Sequence, residues 1–153
     1  MEYMICHLLV IEDDRKRIDL FQSWLPTEFR ANFVKSASIV PEILNLNKKE
    51  ERKQNMIAGI CLDHDLQMQP AVAEDRDLSG TTVVQHIIRS VSPKVPVFIH
   101  SRNEERARHM AFRLKERGFD VLRIPMDQLD RETLLDWLAE VKENWDDNVV
   151  EQQ

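Results

Sequence analysis

Short apolar runs alternate along the chain with segments in which apolar residues recur every three or four positions. The short runs are typical of buried strands, whereas the wider spacing predicts amphipathic helices that pack against those strands. Acidic residues end the first and the third of these runs. The predicted strands are residues 7–11, 31–35, 56–62, 95–99 and 120–124.

Helical spacing places one helix after each predicted strand. Ile18, Phe21 and Trp24 share a face of the first helix, which Pro26 ends because proline cannot continue it. Gly118 stands in the position after the fourth helix where glycine commonly adopts a left-handed conformation. The first predicted helix follows Asp14 and ends at Leu25. The others include residues 39–46, run from 81 to about 91 and from 104 to 117, and include residues 134–141.

Five successive strand–helix units with mostly short connections predict one parallel sheet with helices on both faces. The fold class is therefore α/β, a doubly wound five-stranded parallel sheet. We expect residues 1–146 to form a single domain and residues 147–153 to fray as a C-terminal tail.

The composition narrows the class of protein. The 153 residues are 42% hydrophobic and 31% charged, which is typical of a globular domain, and the net charge of −6 argues against a nucleic-acid partner. No apolar run approaches the roughly 20 residues of a membrane helix, and the N-terminus lacks the basic start of a secretory signal. Cys6 and Cys61 lie in apolar segments and are expected to be buried, reduced thiols, so the predicted location is the cytoplasm.

Acidic residues follow two of the predicted strands. In a doubly wound sheet, ligands bind beyond the carboxyl ends of the strands. Glu12, Asp13 and Asp63 therefore form a predicted oxygen-ligand site for a divalent cation, most simply Mg²⁺, because clustered carboxylates need a cation or a shared proton. Asp14 belongs either to this acidic cluster or, as its N-cap, to the first helix.

Two histidines follow neighbouring strands. His64 comes after the third strand between Asp63 and Asp65, and His100 follows the fourth. Two imidazoles at one sheet edge can divide the roles of general base and general acid, or can bind a softer metal. Asp63 and Asp65 would orient His64 or bind the metal. The remaining histidines lack such neighbours and are interpreted as structural or surface residues; they are His7, His86 and His109.

The start of the fourth helix is a predicted phosphate site. Ser101 and Glu104 have the spacing of a capping box, and the free N–H groups of a helix N-terminus also favour phosphate. Arg102 or Arg106 could add a bidentate contact. Ser101, Arg102 and Asn103 are thus the predicted phosphate-binding residues.

These positions resemble the response-regulator receiver domain over nearly the whole chain. The acids after the first strand match the family's acidic pair, Asp63 its phosphoacceptor, Ser101 its Ser/Thr and Pro125 its proline. The resemblance implies a flavodoxin-like sheet with strand order 2-1-3-4-5. Ile124 stands where the family has a lysine, and Arg123 belongs to the opposite strand face, which argues against conventional phosphotransfer.

A more specific resemblance is to the cyclic-phosphate-processing branch of receiver-like domains. Residues 62–66 read LDHDL and residues 99–103 read IHSRN, which match that branch's LDHDL and HSxN motifs. The resemblance implies that His64 and His100 act on a phosphodiester. Gln67 replaces the usual glycine after LDHDL, and the long segment 67–79 that follows is interpreted either as a lid or as disordered.

Three functions stay open at this point. The first is hydrolysis or processing of a cyclic phosphate or nucleotide by the two histidines and the acidic cluster. The second is an atypical receiver module with Asp63 as phosphoacceptor, and the third is a non-catalytic module that binds a nucleotide or a partner protein. Receiver-like domains often pair through the helical face beyond the fourth strand, so the resemblance also suggests a homodimer.

Overall fold

A parallel β-sheet is the centre of the molecule. The computed structural model describes residues 5–50, 56–63, 80–101 and 104–150. The strands of this part are β1 Cys6–Ile11, β2 Phe29–Val34, β3 Ile57–Leu62, β4 Val97–Ser101 and β5 Val121–Pro125. All five are parallel and lie in the order β2-β1-β3-β4-β5, so the predicted doubly wound, flavodoxin-like receiver fold is confirmed.

Helices cover both faces of the sheet. They are α1 Arg15–Trp24, α2 Val40–Lys48, α3 Gly80–Ser90, α4 Glu104–Glu116 and α5 Arg131–Val150. Short 3₁₀ turns at Ala37–Ile39 and Met126–Gln128 precede α2 and α5.

The hydrophobic core has two layers because side chains alternate across a strand. Leu9 and Ile11 of β1 face α2, α3 and α4, where they pack with residues such as Leu44. Leu8 and Val10 face the opposite layer, which includes α1 and α5. Each strand thus buries both of its faces, which explains why the strands read as continuous apolar runs.

Two element boundaries differ clearly from the predictions. Strand β2 begins at Phe29 rather than at residue 31, and its exposed positions weaken the apolar signal at an edge of the sheet. Helix α5 continues through residues 147–150, which the sequence places in a frayed tail. Trp145 is buried near the end of that helix, and its packing extends the helix beyond the predicted boundary. Residues 151–153 lie outside the described ranges.

The connections create a topological switch between β1 and β3. Strand β2 pairs with one edge of β1, and β3, which comes next in the chain, pairs with the other edge of β1. Helices leaving two neighbouring strands in opposite directions open a crevice at the carboxyl ends. This crevice is where the predicted site residues should meet.

Candidate functional site

Backbone hydrogen bonds at the ends of β1 and β3 position the first two acids. The amide of Glu12 donates to the Val34 carbonyl at 2.9 Å, and the amide of Asp63 donates to the Ile11 carbonyl at 3.1 Å. The sheet ladder thus reaches the first residue past each strand. Glu12 and Asp63 are both fully buried at this edge, 0% exposed.

Three carboxylates come together there, as predicted. One ligand oxygen from each of Glu12, Asp13 and Asp63 lies within 4.8 Å of the others. The Asp13 amide donates to Glu12 Oε2 at 3.0 Å, which fixes the rotamer of the glutamate side chain. Asp13 is also buried, so these acids are close to one another and largely shielded from water.

Asp14 has a separate, structural role. Its Oδ1 accepts hydrogen bonds from the amides of Lys16 at 2.9 Å and Arg17 at 3.1 Å. These contacts identify Asp14 as the N-cap of α1. Of the two readings left open from the sequence, the cap is therefore confirmed.

Arg17 is a site residue that sequence reasoning missed. Its Nη1 donates to Glu12 Oε1 at 3.2 Å and to Asp63 Oδ2 at 3.1 Å, and its side chain is only 9% exposed. The sequence contained a signal, because Arg17 lies four residues before Phe21 and so shares a face of α1 with it. A buried arginine between two buried carboxylates partly neutralises them.

His100 lies in an aromatic environment at the end of β4. Its ring centroid is 5.1 Å from that of Phe21 and 5.9 Å from that of Phe98. Burial, with a smaller contribution from the Arg17 charge, lowers the pKa of His100 to about 3. The imidazole is therefore neutral near pH 7. Neither ring nitrogen has a hydrogen-bond partner among the described residues.

Strand alternation divides the predicted site between two faces of the sheet. His100 follows the parity of Phe98 and faces the layer of α1 and α5, the same side as Arg17. Ser101, which is also buried, has the parity of Val97 and Ile99 and belongs to the opposite face. The two neighbours in the motif thus approach the sheet edge from different sides.

The register of β5 shows which residues lie beside His100 and Ser101. Ile124 pairs with His100, and Pro125 pairs with Ser101. Ile124 packs in the same core layer as Phe98, whereas Arg123 has the opposite parity, as expected. An apolar side chain therefore lies beside His100, where the resemblance to receivers implies a lysine.

Four predicted site residues and the long connection lie outside the described part of the chain. They are His64, Asp65, Arg102, Asn103 and the segment 67–79. Their predicted roles stay predictions.

Both cysteines are free and buried, as predicted. Burial raises the pKa of the Cys6 thiol to about 11 and also raises that of Cys61. Neither sulfur is a thiolate near neutral pH, so their role is packing.

The carboxylate oxygens of the acidic cluster are suitable ligands for a hard divalent cation. Carboxylate oxygens are the ligands that Mg²⁺ and Ca²⁺ prefer, and three buried acids need positive charge nearby. Arg17 supplies one such charge and contacts Glu12 and Asp63. One guanidinium can balance only one of three ionised carboxylates, so a further cation would also be stabilised here. Glu12, Asp13 and Asp63 thus remain suitable ligands, with Arg17 beside two of them.

None of the helices in the described ranges combines the length and the apolarity that a bilayer-spanning segment requires.

Solved structures of receiver domains resemble this fold. The signal receiver domain of a protein described as the Luxo repressor of Vibrio parahaemolyticus superposes with a TM-score of 0.65 at 19% identity, covering 96% of this chain and 98% of that one. The receiver domain of an HD-domain protein from Pseudomonas fluorescens Pf-5 gives 0.64 at 14% identity, covering 94% and 98%. The solved chain of an adenylate cyclase from Rhodopirellula baltica gives 0.62 at 18% identity, covering 97% and 95%. At these identities the likeness concerns the fold alone.

Sequence comparison identifies the branch of the fold. No curated protein sequence matches this chain significantly. The model of the cyclic-phosphate processing receiver domain matches residues 7–116, which include the acidic cluster, His100 and Ser101. This match covers most of the chain. The chain therefore belongs to the cyclic-phosphate processing receiver domain family.

Proposed function

We propose that this domain hydrolyses or otherwise processes a cyclic phosphate or cyclic nucleotide at the carboxyl edge of β1, β3 and β4. The observation that carries the proposal is His100, a fully buried imidazole whose nitrogens have no partner among the described residues. Buried polar atoms are normally hydrogen-bonded, so such an exception favours a polar partner that arrives from elsewhere. Its side of the sheet also holds Glu12, Asp63 and Arg17.

The protonation state of His100 suits the role of acceptor. A neutral imidazole offers one lone pair and one N–H, and an incoming phosphate anion would raise its pKa from the low value that burial imposes. In hydrolysis, His100 would take a proton from water as the water oxygen bonds to phosphorus. The ester P–O bond then breaks, and the leaving oxygen takes a proton from His64, which Asp65 would orient.

Charge on the phosphate would be balanced from two sides. Ser101, Arg102 and Asn103 would bind phosphate oxygens at the start of α4. Glu12, Asp13 and Asp63 would hold a divalent cation, which supplies positive charge to the phosphoryl oxygens when it is bound.

Turnover of a nucleotide panel tests this proposal. The protein is incubated with 2′,3′-cyclic and 3′,5′-cyclic nucleotides, with and without Mg²⁺ or Mn²⁺, and products are separated by chromatography. We expect hydrolysis by the wild type and a loss of about 100-fold or more in His100→Phe and His64→Ala. Phenylalanine keeps an aromatic ring against Phe21 while it removes both nitrogens.

The same substitution at an exposed position is the matched control. His109 is exposed on α4, so His109→Phe should keep full turnover. A wild type that turns over none of the panel, or a His100→Phe variant as active as the wild type, would refute the proposed catalysis. Nucleotide-dependent thermal stabilisation without product would instead support a non-catalytic binding module.

Phosphorylation of Asp63 is the second candidate function. It is favoured by the grouping of Asp63 with Glu12 and Asp13, the arrangement in which a receiver would hold its cation. The Arg17 contact and the apolar Ile124 argue against it. Acetyl phosphate with Mg²⁺ should add one phosphoryl group to the wild type by mass spectrometry and none to Asp63→Asn. An unlabelled wild type discards this candidate.

A further inference from the structure

The N-terminus of α1 carries three consecutive basic residues. Arg15, Lys16 and Arg17 occupy its first turn, which contains no acidic residue. Cations there oppose the helix dipole, whose N-terminal end is positive. Arg15 and Lys16 are exposed, and Arg15 pairs with Asp19 at 3.4 Å in solvent. Arg17 alone is buried, so its position is explained by the acids that it contacts and not by the helix.

Only one nitrogen of the Arg17 guanidinium contacts the two carboxylates. A single nitrogen, Nη1, bridges Glu12 and Asp63, whereas a strong arginine–carboxylate pair presents two parallel N–H groups to one carboxylate. The second nitrogen, Nη2, is buried and has no hydrogen-bond partner among the described residues. Arg17 therefore holds both carboxylates by one atom, an arrangement that another cation can replace.

Arg17 and a divalent cation need the same two carboxylates. A Mg²⁺ or Ca²⁺ ion binds carboxylate oxygens at about 2.0–2.6 Å, which would place it next to the guanidinium that now contacts Glu12 and Asp63. Two cations repel each other strongly at a site with little water. Both cannot keep their preferred contacts at once.

The geometry points to Arg17 as a built-in competitor of the divalent cation: the cluster of Glu12, Asp13 and Asp63 takes up the cation when Arg17 Nη1 releases Glu12 and Asp63. The charge of Arg17 thus sets the affinity of the site for metal. This inference takes one element from the proposed function, namely that the acidic cluster binds a divalent cation. It concerns metal binding, which is measurable with no nucleotide present.

Metal titration of charge variants tests the inference. MnCl₂ and MgCl₂ are titrated by calorimetry into the wild type, Arg17→Met and Lys16→Met. We expect Arg17→Met to bind the metal about tenfold tighter or more, because it removes a positive charge adjacent to the ligands. Lys16→Met removes the same charge from the exposed side of the same turn and should match the wild type.

The outcome separates this inference from the proposed function. An Arg17→Met protein that binds Mn²⁺ no more tightly than the wild type does overturns the competition, whatever the nucleotide assay shows. If Lys16→Met binds Mn²⁺ more tightly by the same factor, the competition is also overturned, because the gain in affinity would then come from the net charge of the protein. Failure of every nucleotide to react would leave the metal result standing.

A measurement on the wild type covers the case in which Arg17→Met does not fold. The side-chain N–H signals of Arg17 are followed by NMR during a titration with diamagnetic Mg²⁺. We expect the signals to shift and to exchange faster with water as the guanidinium leaves the two carboxylates. Unchanged Arg17 signals at Mg²⁺ saturation, or a wild type that binds no Mg²⁺, would overturn the inference.

Discussion

Two buried polar residues on the same side of the sheet, Arg17 and His100, are stabilised differently. Arg17 is buried with its charge balanced by contacts to Glu12 and Asp63. His100 is neutral, since burial and the nearby arginine both disfavour its protonated form. Burial of the arginine is thus tolerated because carboxylates pair with it, whereas burial of the imidazole is tolerated because it is uncharged.

Removal of the Arg17 charge should strongly destabilise the fold in the absence of metal. Arg17→Met leaves Glu12 and Asp63 buried without their cation, and losing one partner of a buried ion pair costs about 3–5 kcal/mol. Arg15→Met breaks only an exposed pair with Asp19 and should cost no more than about 0.5 kcal/mol. Urea unfolding without metal measures both; equal losses would contradict the buried pairing.

His100 should make the folded state sensitive to acid. Its pKa is about 3 in the folded protein against a usual value of 6.5, so the unfolded chain binds more protons between these values. Stability from this group is therefore complete above about pH 6.5 and is lost as the pH falls towards 3, by up to about 1.4 kcal/mol per pH unit.

Urea unfolding of wild type and His100→Phe between pH 7 and pH 4 checks this dependence. The variant cannot bind the proton, so its unfolding free energy should fall less steeply with acid. Parallel curves for the two proteins would show that the His100 pKa is not depressed in the folded state.

At the scale of elements, α1 links the fold to the site. Asp14 caps the helix through the amides of Lys16 and Arg17, so the residue that bridges the acids is also held by the cap. Helix α5 begins in a similar way, because Asp130 Oδ1 accepts from the Thr133 amide at 2.8 Å. The two caps are alike in chemistry, yet only the first lies at the acidic cluster.

The two caps should therefore differ in their effect on the site. Asp14→Ala should cost about 1 kcal/mol of stability and also change Mn²⁺ affinity, because it loosens the first turn that carries Arg17. Asp130→Ala should lower stability without altering Mn²⁺ affinity. Thermal unfolding and metal titration of both variants check this. An unchanged Mn²⁺ affinity in Asp14→Ala would show that the cap does not position Arg17.

At the scale of the whole molecule, α5 packs directly on the centre of the sheet. A Cβ at Gly59 of β3 would come within 3.1 Å of Leu8 Cδ2 and Trp137 Cη2, and within 3.2 Å of Val141 Cγ1. The glycine thus permits two bulky α5 side chains to pack directly on the strand. This contact lies at the middle of β3, away from the carboxyl edge that carries the acids.

Gly59→Ala should therefore destabilise the fold and spare the site. Overpacking of a dense core typically costs about 1–3 kcal/mol, since Trp137 and Val141 must shift to admit the methyl group. We expect a lower midpoint in thermal unfolding with Mn²⁺ affinity unchanged in the folded protein. A variant as stable as the wild type would show that α5 moves away from the sheet at little cost.

Much of the fold followed from local pattern. The apolar runs located all five strands of the described sheet, because a strand buried on both faces has to be apolar throughout. The acids were located for a similar reason, since the carboxyl ends of adjacent parallel strands meet at one edge. Strand β2 and the end of α5 were less accurate, because partial exposure and tertiary packing set their limits.

The sequence by itself determined which residues reach the carboxyl edge: Glu12, Asp13, Asp63, His100 and Ser101 follow apolar runs whose burial leaves them no other position. Only the tertiary structure decided which of their charges are balanced. Arg17 shares a helix face with Phe21, but an arginine there can extend either to solvent or inwards. The packing of α1 over the acids turned the Arg17 side chain inwards. A buried charge is costly by itself, but here two buried carboxylates pair with it.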